Sequence, residues 1–214
     1  MPDWLYSPSG YRLETLAGGT PLFRIWNHVD ARAKRYKALD FNTRIPNPGE
    51  TYRFAPLPGY QFPYLYAACS LPAAFCETIL PFADDRPGER YSLAVAALKA
   101  QSWLSFQLLQ PITLVRLFSA SDMRAFKAPT DIDTTLDYDG TREWCRYIRA
   151  MVPAASGLIW KSRAHRQDPA MILFGDRLPR GRGLFAQGAP QRFDTFRGRR
   201  LAAEMCADAS TDLI

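Results

Sequence analysis

Residues Pro63 to Pro81 compress a strand, a turn and a helix into one run, and this run limits what the rest of the chain can build around it. Tyr64-Leu65-Tyr66-Ala67-Ala68 is short, aromatic-rich and bounded by Pro63 and Ser70, which suits a buried strand better than a helix. Ser70 is then an N-cap candidate, and Pro72 falls in the first helical turn, where a missing N–H costs nothing. Helical spacing puts Ala73, Ala74, Glu77 and Pro81 on one face and Leu71, Phe75, Thr78 and Ile79 on the other. Glu77 is therefore a lone carboxylate flanked by small residues. Two readings fit it: a solvated acid on an outer face, or a ligand-facing acid whose burial raises its pKa unless a cation or hydrogen-bond donor compensates.

A chain of 214 residues, 47% of them hydrophobic, suffices for one sizeable core, and a single domain is expected. There is no apolar run of ~18 residues. Met1-Pro2-Asp3-Trp4-Leu5-Tyr6 lacks the basic and apolar regions of a signal peptide, so a soluble, cytoplasmic protein without membrane contact is expected. Cys69, Cys76, Cys145 and Cys206 show no paired metal-ligand spacing, and His28 and His165 have no ligand register, so buried free thiols and no metal are expected. The net charge of +6 is concentrated between Arg163 and Arg200, where nine arginines face three aspartates. That balance suits nucleic acid, an acidic partner, a polyphosphate ligand or simply a solvated face. No aromatic RNA-binding motif, zinc-finger spacing or helix-turn-helix pattern selects among these.

In chain order, the segment before about Thr20 reads as irregular, with Pro2, Pro8, Gly10, Gly18 and Gly19. Leu22 to Trp26 is a short apolar strand interrupted by Arg24, either snorkelling to water or facing a ligand. Asp30 to Leu39 reads as a basic helix and Asn42 to Gly49 as a loop; Arg53 and Phe54 then lead into the tyrosine strand. Tyr91 to Leu98, Trp103 to Leu109 and Ile112 to Phe118 are rich in strand formers, and Asp122 to Tyr138 reads as a connection with a short helix, a candidate lid. From Thr141 to Val152 the stripe Trp144, Ile148, Met151, Val152 predicts a core-facing helix. Gly157 to Trp160 enters a strand ending at Lys161-Ser162-Arg163; Ala170 to Phe174 is a further strand, and a Gly- and Arg-rich tail precedes a short helix near Arg200 to Ala207. Strands with few helices between them predict an α+β mixed sheet with flanking helices, not a doubly wound fold. There is no internal repeat and no glycine-rich phosphate loop.

Four segments, in order, resemble the signatures of the RES domain, named for an arginine, a glutamate and a serine. They are Leu22-Phe23-Arg24-Ile25; Arg53-Phe54; Tyr64-Leu65-Tyr66-Ala67 with Ala73-Ala74-Phe75-Cys76-Glu77; and Gly157-Leu158-Ile159-Trp160-Lys161-Ser162-Arg163 with Met171-Ile172-Leu173-Phe174. The likeness spans about Leu22 to Arg177, giving an expected organisation of an irregular segment over 1–20, a RES-like catalytic region over 21–178 and a basic extension over 179–214 packing on the same domain. The chain departs from the family pattern in a longer segment between Arg24 and Arg53 and in that basic tail.

The resemblance implies an ADP-ribosyltransferase-like fold and a bacterial toxin of a toxin-antitoxin pair. Such a toxin degrades NAD at the nicotinamide–ribose bond, by hydrolysis or with inorganic phosphate, and is neutralised by a separately encoded DNA-binding antitoxin of Xre type. A protein delivered into a target cell would instead have an immunity partner. NAD would be a substrate, no cofactor is implied, and nucleic acid would be met only through the antitoxin. The bond breaks through an oxocarbenium-like state, so the site needs an anion beside the ribose and cations for the pyrophosphate. By resemblance Glu77 faces the ribose, Arg24 and Arg53 hold the pyrophosphate or an attacking phosphate, and Tyr66 lies beside nicotinamide. Tyr64 and Arg163 join in substrate binding, and Ser162 orients the substrate or Glu77. Ser162 is not expected to be a nucleophile, since neither histidine has a triad context. Transfer of ADP-ribose to a protein or nucleic acid, and a non-enzymatic nucleic-acid binder using the tail, are the competing expectations.

Overall fold

The computed structural model describes residues 1–28, 37–48, 50–83, 91–162, 165, 167–178 and 183–214. Its centre is an eight-stranded mixed sheet in the order β1-β6-β7-β8-β3-β2-β5-β9. The strands are β1 (Leu13–Leu16), β2 (Pro21–Asn27), β3 (Tyr64–Ala68), β5 (Gln101–Leu108), β6 (Ile112–Leu117), β7 (Gly157–Lys161), β8 (Pro169–Phe174) and β9 (Leu184–Arg192). Every neighbouring pair is antiparallel except β6 and β7, whose connection runs through α2 (Ala120–Arg124) and α3 (Tyr138–Met151). A second, two-stranded parallel sheet joins β4 (Tyr91–Leu93) to β10 (Thr211–Leu213), beside α4 (Phe196–Asp208). Among the described residues no helix is long and apolar enough to cross a membrane.

Side chains alternate across the sheet and fill a core on each face. Leu65, Ala67, Leu22, Phe106, Ile159, Met171 and Leu173 pack on one face. Tyr64, Ala68, Ile25, Trp160, Ile172 and Phe174 pack on the other, beneath α1 (Leu71–Thr78) and α3. Burial on both faces explains why β3 and β8 are nearly continuous apolar runs without a polar alternate. The α+β expectation holds, and most predicted elements appear near their predicted bounds.

The differences have physical causes. The segment expected to be irregular before Thr20 contributes β1, which pairs along β6 from Leu13 opposite Val115 to Leu16 opposite Ile112. Tyr91 to Leu98 stays extended only to Leu93, and its Ala-rich second half winds into a short 3₁₀ turn over Val95–Leu98. The Gly- and Arg-rich tail supplies β9, which closes the far edge against β5. The basic helix expected over Asp30 to Leu39 lies largely outside the described residues, and Lys37 to Leu39 are not helical.

Asp122 is the polar hub at the β6–α2 corner. Its buried carboxylate accepts from Arg12 Nε at 2.6 Å, Ser119 Oγ at 2.9 Å, the Phe118 amide at 3.0 Å and Arg116 Nε at 3.4 Å. Burial opposes the charge, but the bonds from Ser119, Arg12 and Phe118 outweigh it and hold the pKa below the usual carboxylate range. A depressed folded-state pKa gives stability that is complete above the unfolded value of about 3.9 and is lost as pH falls through the folded value. Asp122→Asn therefore costs about 1–3 kcal/mol in urea denaturation at pH 7. Its difference from the parent narrows steadily below about pH 4; a gap that stays constant with pH rules this account out.

Candidate active site

The site is assembled on the Trp160 face of the sheet. Ser70 caps α1 as expected, its Oγ accepting from the Ala73 amide at 3.2 Å, with Pro72 in the first turn. The helix is buried through Leu71, Ala73, Ala74, Phe75 and Cys76, and Pro72, Glu77 and Thr78 are half-buried. The Trp160 indole on β7 donates to Glu77 Oε2 at 3.2 Å, so one lobe of the carboxylate is fixed by a fully enclosed side chain. The solvated reading of Glu77 is thereby replaced by a half-buried acid with an oriented donor.

The indole stacks edge-on against Phe54, with ring centroids 5.1 Å apart. Phe54 is completely buried and adopts φ 61°, a left-handed conformation unusual for a bulky residue. It persists because neighbours on both sides fix it. One of them is Tyr66, whose hydroxyl donates to the Arg53 carbonyl oxygen. Burial pushes the Tyr66 hydroxyl well above its ordinary pKa, so it stays a donor. Tyr64 and Tyr66 lie edge-to-face at 5.6 Å, and Tyr64 is itself tied down by Asn42 Nδ2 at 2.7 Å and by its own bond to the Arg44 carbonyl oxygen at 3.2 Å.

Arg53 is buried and reaches across the chain. Its Nη1 donates to the carbonyl oxygens of Ile132 at 3.0 Å and Thr135 at 2.8 Å, and its guanidinium lies 5.3 Å from the Tyr138 ring centroid. Residues 132–135, read from the sequence as part of a possible lid, are thus fastened to the site, with Ile132 buried in the core. Arg142 of α3 secures the approach to Arg53 by donating to the carbonyl oxygens of Tyr52 at 3.1 Å and Asn47 at 3.1 Å.

Of the other sequence candidates, Arg24 lies on the opposite face of the sheet and Arg163 outside what is described. Strand alternation sends Arg24 to the face of Leu22, opposite Ile25. Its Nη1 donates to the carbonyl oxygens of Ala38 at 2.6 Å and Asp40 at 2.8 Å. Burial lowers its pKa to about 10, with Asp40 and Tyr64 opposing the shift, so it remains a cation near neutrality. Ser162 follows β7 two residues beyond Trp160, is fully buried, and accepts from the His165 amide at 3.3 Å. Arg163 lies outside the described residues. Sequence reasoning missed Phe54 and Trp160 as members of the site, although each stands in a quoted segment, Arg53-Phe54 and Gly157-Leu158-Ile159-Trp160.

The fold has a solved counterpart. The chain superposes on a structure titled as the M. tuberculosis MbcT-MbcA toxin-antitoxin complex with a TM-score of 0.55 at 16% identity, covering 88% of this chain and 92% of that one. No curated protein sequence matches. The RES domain family model matches residues 21–195, so it includes β2 through β9 and every residue of the site described above. The chain belongs to the RES domain family.

Proposed function

We propose that this protein is a toxin that cleaves the nicotinamide–ribose bond of NAD, passing the ADP-ribosyl group to water or inorganic phosphate. The observation that carries the reading is the Glu77 carboxylate, half-buried at the end of α1 and held by the Trp160 indole, which packs on Phe54, the residue after Arg53. As the bond to nicotinamide lengthens, positive charge develops on the ribose, and a fixed carboxylate in a partly dry site stabilises it more than it stabilises ground-state NAD. Tyr66, half-buried and backed by the fully buried Tyr64, offers an aromatic face for the nicotinamide ring. Ser162 is enclosed and acts through the backbone that follows it, which suits positioning rather than attack. The solved counterpart is described as a toxin-antitoxin complex, and a separately encoded antitoxin is the partner proposed for this chain.

The test is a time course of NAD with purified protein, with and without phosphate, its products separated by chromatography. Release of nicotinamide with free ADP-ribose, or with its phosphate, is the expected result. Mass added to a protein or nucleic acid instead would make it a transferase. NAD left intact by folded, partner-free protein ends the enzymatic reading.

A further inference from the structure

The connection between β7 and β8 is bridged twice by side chains with no part in the reading above. The His165 amide donates to Ser162 Oγ at 3.3 Å, and His165 Nε2 lies 3.2 Å from Asp168 Oδ2. Each bridge spans three residues and both share His165, so together they run from Ser162 to Asp168. The neighbours of these two residues, Lys161 and Pro169, form the last ladder pair of the hairpin. A carboxylate accepts, so this bond puts a ring proton on Nε2. The ring is thereby held at its tip, and the amide that binds Ser162 is held with it.

Global stability gives little reason for the arrangement. The ladder from Gly157–Leu173 to Lys161–Pro169 already closes the hairpin. The side chains of His165 and Asp168 are 23% and 43% exposed, and pairs so exposed contribute little to folding. What the pair does fix is local. Ser162 is fully buried and stands two residues beyond Trp160, whose indole binds Glu77. A hydroxyl that accepts from an amide is held in one rotamer and still has its own proton to donate. Connecting segments move unless something ties them down, and a displaced His165 amide would release the Ser162 hydroxyl.

Resting on the NAD-cleaving reading, we propose that His165 and Asp168 are positioning residues of the active site. Their side chains lock the β7–β8 connection so that the His165 amide sets the Ser162 hydroxyl for the substrate or for Glu77. They act through Ser162 and do not meet the substrate themselves. Small misplacements of a group that orients a substrate lower turnover far more than they lower stability.

The deciding experiment measures steady-state nicotinamide release by parent, His165→Ala, Asp168→Ala and Asp168→Asn proteins, by the double variant His165→Ala/Asp168→Ala, and by His165→Ala in a Ser162→Ala background. Alanine at 165 keeps the amide that Ser162 uses, so any loss reports the anchoring by the ring. The expected result is a fall in kcat of about 10-fold for His165→Ala and for Asp168→Ala, with KM and thermal melting close to the parent's. Asp168→Asn keeps an oxygen for Nε2 and recovers most of the rate. The double variant falls no further than either single one, and His165→Ala has no added effect once Ser162 is alanine. Parental kcat in both alanine variants overturns the proposal, as do losses that add in the double variant or that persist in the Ser162→Ala background. A fall in kcat matched by a fall in melting temperature also overturns it, since the pair would then be a structural one. Parent protein that leaves NAD intact would instead overturn the NAD-cleaving reading itself, with which this proposal falls.

Discussion

Glu77→Gln lowers nicotinamide release from NAD by about 10²–10³-fold while the protein stays folded. The carboxamide has the same size and keeps an oxygen that can accept from the Trp160 indole, so the contact at 3.2 Å need not break. What is removed is the charge opposite the developing cation. An interaction made mainly in the transition state lowers kcat and kcat/KM together and leaves KM nearly unchanged. Steady-state kinetics and a thermal melt on the same preparation check this. Parental kcat in a variant that melts with the parent would sink the role given to Glu77. A large rise in KM at constant kcat would instead recast it as a ground-state binding residue.

Gly157→Ala destabilises the protein by about 3 kcal/mol or more. A Cβ at Gly157 would sit 2.0 Å from the Ile172 carbonyl oxygen and 3.0 Å from Leu114 Cδ2. The first contact is with backbone of β8, which is paired to β7 on one side and to β3 on the other, so it has no direction in which to yield. For a chain of 214 residues a loss of that size lowers the melting temperature by roughly 6–12 °C. Activity falls with it, because β7 carries Trp160. A melt within about 2 °C of the parent would mean that the sheet rearranges around the methyl group.

The same glycine shows how much the sequence could say. Its place after Pro153-Ala154-Ala155-Ser156 reads as the end of a helix and the start of a strand, and both are present. The sequence does not say that Gly157 must be small because β8 passes against it. β3 and α1 were legible because their cues are local: an aromatic-rich run, a capping serine and a proline in the first turn. β9 was not, because Leu184 to Gln191 has neither charge nor apolar alternation and is held extended by β5, a neighbour supplied by tertiary structure. For the site, the step from Tyr66 to Glu77 was readable as strand, turn and helix. The contacts of Arg53 with Ile132 and Thr135 were not, because a loop-to-loop contact over that separation leaves no periodic trace. Arg24 illustrates the converse: alternation within Leu22 to Trp26 separates its face from that of Ile25, but only the assembled sheet tells which face holds the glutamate.

The sheet order also sets when the molecule can first act. β3, which bears Tyr66, lies between β2 and β8, and Glu77 is oriented by β7, so a ribosome that has just finished α1 has made an acid with nothing to orient it. The strands that complete the arrangement are translated nearly a hundred codons later, which at ordinary elongation rates is roughly 5–20 s. Throughout that interval the nascent chain is inert toward the proposed substrate, and prematurely terminated products that stop before Phe174 are inert for the same reason. On the proposed reading, a cell that makes this protein gains that delay from the order of translation alone, and the proposed antitoxin would meet the sheet only once it is complete.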